Sequence, residues 1–136
     1  MKIDGACHCG FITFEAEVDP EKTSVCHCAD CQTLSGSPYR ASVPTAPEKF
    51  RLLSGEPTIY VKTAESGSKR AQAFCPKCGS PIYATGFGDP TAILNIRVGI
   101  LRQRDQLVPK RQLWARSRQS WVDNLLAITR LDKQSA

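Results

Sequence analysis

The chain has 136 residues, a length that fits one domain with a modest core. Hydrophobic residues make up 41% and charged residues 23%, which argues against an intrinsically disordered chain, and no apolar run approaches the roughly 20 residues that span a bilayer. The net charge of +5 is uneven, because residues 97–136 carry nine basic and three acidic residues, whereas residues 1–96 carry nine and ten. Such a basic segment fits a solvated surface, an acidic small molecule or nucleic acid.

Alternation of apolar and polar residues predicts short β-strands along the chain. The segments are 12–17, 58–62, 70–74, 81–85 and a longer run, 92–101, in which Gly99 is a candidate β-bulge. Turn signals such as Ser54-Gly55 and Gly88-Asp89-Pro90 separate them, and helical signals are confined to 28–34 and 120–130. The pattern predicts a mainly β fold of two small sheets with little helix, in a single domain spanning residues 1–136.

Cysteine is the unusual component, with seven residues. An odd number argues against a simple disulfide framework. The N-terminal sequence MKIDGACHCG lacks the apolar core of a signal peptide, so we expect a cytoplasmic protein that does not associate with membranes. In that reducing compartment, clustered cysteines more often hold metal or carry out chemistry than form disulfides.

The most specific motif is Cys75-Pro76-Lys77-Cys78-Gly79. In a C-x-x-C-G turn both sulfurs point to one side, and the glycine adopts the positive φ that the turn requires. This is a zinc-knuckle arrangement with two ligands, whereas a structural zinc needs four. Cys7 and Cys9, which are also followed by glycine, present two sulfurs to one side of an extended chain. Pairing the two motifs predicts a closed structural zinc site formed by Cys7, Cys9, Cys75 and Cys78.

The remaining cysteines are Cys26, Cys28 and Cys31. Three thiolates can surround one metal ion, and catalytic zinc sites typically have three protein ligands and one open position, which accepts water or a thiol. The alternatives are an unmetallated redox trio, a closed site with His27 as fourth ligand, or ordinary buried or redox cysteines. Along an extended chain His27 faces away from the metal, as does His8 at the first motif, so we expect both histidines to be exposed or to support the ligands from outside.

The order C-x-C-G, C-H-C-x-x-C, G-S-P and F-C-x-x-C-G-S-P resembles the glutathione-dependent formaldehyde-activating enzyme family, whose domain also occurs in centromere protein V. The match is close over residues 5–9, 26–38 and 74–83, and continues more loosely through 94–99 and 109–122. The chain departs from the family at Gln112, where a histidine is frequent.

The resemblance implies a β-tent type of fold and two zinc ions per chain. It implies that Cys7, Cys9, Cys75 and Cys78 hold a structural zinc. It also implies that Cys26, Cys28 and Cys31 hold a catalytic zinc. The implied activity is the reversible addition of glutathione, as cosubstrate, to formaldehyde, which gives S-hydroxymethylglutathione and belongs to carbon–sulfur lyase chemistry.

Further expectations concern the substrate contacts, the two tryptophans and the competing functions. The backbone amides of Ser35, Gly36 and Ser37 follow it closely in the chain and are candidate substrate contacts. Trp114 and Trp121 are expected to pack in the core. The competing functions are a non-catalytic zinc module that binds nucleic acid through the basic C-terminal segment, and a thiol or metal sensor. The chain has no recognised motif for reading nucleic acid, which argues against the first of these, and no segment points to a particular oligomeric state.

Overall fold

The structure, a computed structural model, describes residues 1–134. Residues 135 and 136, which the predicted domain includes, lie outside that range. The described residues form ten strands, one α-helix and six short 3-10 segments. The elements are β1 (Lys2–Ala6), β2 (Thr13–Glu17), β3 (Ser24–Cys26), α1 (Ala29–Ser35), β4 (Arg40–Thr45), β5 (Phe50–Ser54), β6 (Thr58–Thr63), β7 (Lys69–Phe74), β8 (Pro81–Gly86), β9 (Leu94–Arg97) and β10 (Arg111–Leu113). Within these residues no helix combines the length and apolarity needed to cross a bilayer.

Two sheets contain all ten strands. The small sheet has the order β1-β2-β5 and is antiparallel. The large sheet has the order β10-β3-β4-β9-β8-β7-β6, and only its β10–β3 pair is parallel among the described strands. The predicted mainly β fold of two sheets with little helix is therefore confirmed.

The hydrophobic core combines side chains from both sheets. Phe14 of the small sheet and Val43 and Ile96 of the large sheet belong to one buried cluster. The Phe50 ring connects the two sheets, because it stacks on Phe14 at 5.1 Å and meets the Tyr83 ring edge-on at 5.4 Å. Burial of these rings contributes a large share of the apolar area removed from water.

The opposite face of the large sheet is polar. Residues paired across strands share a face, and the pairs Val43–Ile96 and Ser42–Arg97 therefore lie on opposite faces. Arg40 lies two residues before Ser42, on the polar face. Helix α1 covers this face, since Asp30 Oδ2 accepts a hydrogen bond from Lys62 Nζ of β6 at 2.7 Å. Helix α1, which contains Cys31, therefore packs against the face of the large sheet on which Arg40 and Arg97 lie.

The strands predicted at 12–17, 58–62, 70–74 and 81–85 are all present, with bounds within about one residue of those predicted. The predicted turn at 28–34 is α1. The longer run at 92–101 is a strand only over Leu94–Arg97, and the predicted bulge at Gly99 is wrong. Gly99 lies in a 3-10 turn over Val98–Ile100, which the amide of Leu101 closes by donating to the Val98 carbonyl at 3.0 Å.

The expectation that Trp114 and Trp121 pack in the core is also wrong, because they are 43% and 45% exposed. The two sheets fill the core with residues from before β10, and the segment after β10 runs over the surface. Trp114 has φ of 55°, in the left-handed region, and the Arg116 guanidinium lies 5.0 Å from its ring centre.

Candidate metal centres and the adjoining pocket

The first two and the last two cysteines of the sequence form one cluster. The Sγ atoms of Cys7, Cys9, Cys75 and Cys78 lie within 4.8 Å of one another. Cys9 Sγ is 3.6 Å from Cys7 Sγ and 3.8 Å from Cys75 Sγ. A tetrahedral zinc with Zn–S bonds of about 2.3 Å separates its sulfurs by about 3.8 Å. The spacing therefore fits a four-thiolate zinc site.

Two glycine turns build this cluster. Gly79 has φ of +79°, and its amide donates to the Cys75 carbonyl at 2.8 Å. Gly10 has φ of +82°, and its amide donates to the Cys7 carbonyl at 3.1 Å. The amide of Ile12 also donates to Cys7 Sγ at 3.2 Å, which favours the thiolate that a metal needs. Both pairs of sulfurs are thus held by tight turns. At Cys7 and Cys9, the turn that ends at Gly10 replaces the extended chain expected from the sequence.

The four sulfurs differ in exposure. Cys7 and Cys75 are buried within the hydrophobic core, whereas Cys9 and Cys78 are exposed. The hydrogen bond from Ser80 Oγ, 3.2 Å from Cys78 Sγ, lowers the pKa of the Cys78 thiol to about 5. Ser80 Oγ also accepts from the amide of His8, whose side chain is exposed. This serine ties the two turns together at the surface.

The other three cysteines form a second cluster. The Sγ atoms of Cys26, Cys28 and Cys31 lie within 4.8 Å of one another, and all three residues are half-buried. Cys26 ends β3, Cys28 caps the N-terminus of α1, and Cys31 lies in its first turn. Cys28 Sγ accepts from the amide of Cys31 at 3.3 Å. Across residues 1–134 the cluster has no fourth cysteine, histidine or carboxylate, so a metal held there keeps an open coordination position.

His27 lies between two of these ligands but outside the cluster. It is fully buried, whereas the sequence analysis expected it to be exposed or to support the ligands from outside. Its Nε2 lies 2.8 Å from Gln112 Oε1, so Nε2–H donates to the amide oxygen. Its backbone amide donates to the Leu113 carbonyl at 3.0 Å, and Gln32 Nε2 donates to the His27 carbonyl at 2.8 Å. These contacts fix the backbone between Cys26 and Cys28 from behind the sulfurs.

The Arg40 guanidinium lies against this cluster. Its Nη2 lies 3.7 Å from Cys31 Sγ. Hydrogen bonding from the Cys26 thiol, followed by the charge of Arg40, lowers the pKa of Cys31 to about 5. The same Cys26–Cys31 contact raises the pKa of Cys26. Cys31 therefore ionises before Cys26.

A pocket of about 280 Å³ adjoins the trio through Arg40. Its polar wall contains Arg40, Gln72 and Arg97, and its apolar wall includes Leu34 of α1 and Phe74 of β7. Sequence analysis missed these polar residues, and only the pairing of β4 with β9 brings both arginines onto one face. A separate cavity of about 730 Å³ lies against β1, β2 and β5, and none of the seven cysteines lines it.

The predicted contacts Ser35, Gly36 and Ser37 lie at the C-terminal end of α1 and outside that pocket. The Gly36 amide donates to the Gln32 carbonyl at 2.9 Å and closes the helix. Ser35 Oγ donates to the Cys31 carbonyl at 2.6 Å. Gly36 and Ser37 line a separate, open groove together with Trp121. The structure therefore does not bring these three residues to the pocket that Arg40 lines.

Comparison with known proteins gives three findings. A family model described as glutathione-dependent formaldehyde-activating enzyme matches residues 2–117. A protein of Schizosaccharomyces pombe named as an uncharacterized lyase is 31% identical over 80 residues, which are 59% of this chain and 55% of that protein, so the chain spans about half the length of this curated relative. A crystal structure of a Rhodobacter sphaeroides protein has the same fold, with a TM-score of 0.61 at 21% identity over 80% of this chain and 98% of that one.

Proposed function

The chain belongs to the glutathione-dependent formaldehyde-activating enzyme family, and from this membership we propose that it joins a thiol, glutathione, to a small aldehyde such as formaldehyde. The thiol sulfur bonds to the carbonyl carbon, and the thiol proton ends on the carbonyl oxygen, which gives S-hydroxymethylglutathione. The reverse reaction is a carbon–sulfur lyase reaction. The observation that carries the proposal is the three-sulfur cluster, which has room for a further ligand. A pocket lies beside it, and Arg40 both lines this pocket and contacts the cluster.

Both clusters have the donor set that zinc prefers. We assign Cys7, Cys9, Cys75 and Cys78 to a structural zinc. We assign Cys26, Cys28 and Cys31 to a catalytic zinc. When bound there, zinc supplies a Lewis acid that lowers the pKa of a thiol and orients its sulfur.

The surrounding residues serve this chemistry in three ways. The Arg40 guanidinium offsets the negative charge that three thiolates bring together. His27 and Gln112 hold the backbone between two of the ligands, so that the sulfurs keep their positions. Leu34 and Phe74 exclude water from one side of the pocket, which strengthens polar interactions within it.

We propose further that residues 1–136 act as one domain in the cytoplasm. Support for the location comes from the cysteines, because seven reduced thiols suit a reducing compartment. The substrates are then a small-molecule thiol and an aldehyde, without a role for nucleic acid.

Exchange NMR on a mixture of glutathione and formaldehyde tests the proposed reaction. Catalytic amounts of the zinc-loaded protein should raise the exchange rate between glutathione and its hydroxymethyl adduct well above the uncatalysed rate. The Cys28→Ser variant should lose this acceleration while keeping the circular dichroism spectrum of the wild type and about one zinc per chain. An uncatalysed exchange rate in the presence of wild-type protein with both sites loaded would contradict the proposal.

A further inference from the structure

Two buried arginines form the polar wall of the pocket. Arg40 and Arg97 are only 7% and 8% exposed. They lie on the same face of neighbouring strands, because Arg97 pairs with Ser42 and Arg40 lies two residues before Ser42. Of the ion pairs within residues 1–134, none involves either arginine. Buried charges normally have a partner of opposite sign, because removing a charge from water is costly.

The contacts of these arginines leave donors free. Arg97 Nη1 donates to Ser42 Oγ at 2.8 Å, and Nη2 donates to Gln72 Oε1 at 2.9 Å. Arg40 Nη2 points to Cys31 Sγ. The Nε atoms of both arginines are buried and have no acceptor within the described part of the chain. The guanidinium fork matches a carboxylate, which accepts two parallel hydrogen bonds.

The local charge is also unbalanced. Three thiolates around a divalent zinc keep a single net negative charge, which one guanidinium neutralises. The second guanidinium then has no counterion. Burial, followed by repulsion from Arg40, lowers the pKa of Arg97 to about 9. Arg97 lines the pocket, so an anionic group of a ligand held there would lie beside it.

The pocket also limits the ligand. At about 280 Å³ it is at the lower end of the range for small-molecule sites. Its apolar wall accommodates a short hydrocarbon segment, and Arg40 extends from the pocket to the three-cysteine cluster. A ligand with a carboxylate at one end and a sulfur a few bonds away fits these requirements.

We propose that Arg97 and Arg40 bind a carboxylate of the thiol substrate, so that the site selects thiols carrying a carboxylate over neutral thiols. The inference rests on the proposed function, in that the ligand is taken to be a thiol. It adds to that function the residues that recognise the substrate and the chemical class that they select. Arg97 acts on binding, away from the reacting atoms.

Calorimetric titration of the zinc-loaded protein with two matched thiols tests this proposal. 3-Mercaptopropionate and 3-mercaptopropanol have the same thiol and a similar length but differ in charge. The acid should bind at least about tenfold more tightly. Arg97→Gln should remove this preference without weakening 3-mercaptopropanol binding, and Arg97→Lys, which keeps the charge but not the fork, should retain part of it.

The matched control is Arg51→Gln, which changes an exposed arginine of β5 that pairs with Glu15. This variant should keep the full preference. Equal affinity of the wild type for both thiols would overturn the inference and leave the proposed function intact. If neither thiol bound, propionate alone would decide the inference, and the exchange measurement with glutathione would decide the proposed function separately. Propionate binding to the wild type but not to Arg97→Gln would then support it, and no binding would overturn it.

Discussion

Arg40 connects the three-cysteine cluster with the neighbouring pocket. Its Nη2 lies beside Cys31 Sγ, and its side chain lines the pocket wall. The Sγ atoms of Cys26, Cys28 and Cys31 converge at one point, and the Arg40 guanidinium lies against one of them. Its contribution should therefore appear in metal retention as well as in substrate binding.

Replacement of Arg40 by glutamine should weaken zinc binding at the three-cysteine cluster by about tenfold or more, because side chains that support metal ligands typically contribute 10–100-fold in affinity. Competition with a chromogenic chelator measures the loss, since the more weakly held zinc is released first. Arg51→Gln is the control and should release zinc as the wild type does. Identical release curves for Arg40→Gln and the wild type would refute this role.

Gln112 provides the only hydrogen bond to the ring of fully buried His27 among the described residues. Gln112→Leu should lower the free energy of unfolding by about 1–3 kcal/mol, because it leaves a buried donor without a partner. Urea denaturation of the zinc-loaded proteins measures this change. Gln119→Leu is a matched control, since Gln119 bonds to Gln32 at an exposed position, and it should cost little. Equal destabilisation by the two variants would show that the His27 contact has no special role.

The sequence predicts the grouping of some residues well but the burial of others poorly. The cysteines are predictable because ligand spacing is a local property of the chain, and the structure brings the same groups of four and three together. The burial of Arg40 and Arg97 depends on strand pairing between segments far apart in sequence, and no local pattern reveals it. Trp114 and Trp121 are of a residue type that predicts burial, yet they lie at the surface. They belong to the segment after β10, which runs over the surface.

Strands that alternate over five or more residues are predictable from the sequence, and the short β9 lies within a longer predicted run. Other short or interrupted strands are not predictable in this way. β3 and β10 have three residues each, too few to show a period. β4 contains Pro44, and β1 contains Gly5, both of which weaken a strand signal. These strands form because neighbours pair with them, so their existence is a tertiary effect.

Gly5 of β1 has a packing role that a substitution can test. A Cβ at this position would lie 2.7 Å from Phe14 Cζ and 2.8 Å from the Ile100 carbonyl oxygen. Gly5→Ala should therefore destabilise the protein by about 1–3 kcal/mol, as overpacking does. Gly99→Ala is the matched control, because a Cβ there meets nothing within 4 Å. Thermal unfolding of both variants decides the point, and an unchanged melting temperature for Gly5→Ala would contradict it.

At the scale of the molecule, the four-cysteine cluster joins the end of β1 to the turn between β7 and β8. Two of its sulfurs, those of Cys7 and Cys75, belong to the hydrophobic core. A metal ion there links the small sheet to the large one, and its binding free energy contributes to folding. The three-cysteine cluster instead lies at the N-terminal end of α1, outside the core.

The two clusters should therefore respond differently to the loss of a sulfur. Cys75→Ser should unfold most of the protein, because it removes a buried ligand of the structural zinc. Cys28→Ser should keep the fold and lose only the second zinc. Circular dichroism together with zinc analysis of both variants checks this contrast. A folded Cys75→Ser protein, or an unfolded Cys28→Ser protein, would reverse the assignment of structural and catalytic roles.

We propose that four cysteines close one zinc site while three leave another open to a thiol. Zinc X-ray absorption on the fully loaded protein, before and after addition of glutathione, tests it most directly. We expect about two zincs per chain and an average of about 3.5 sulfurs per zinc. An oxygen or nitrogen neighbour at about 2.0 Å should disappear on addition of glutathione, as the average rises to about 4 sulfurs per zinc. A sulfur shell that glutathione leaves unchanged would contradict the claim.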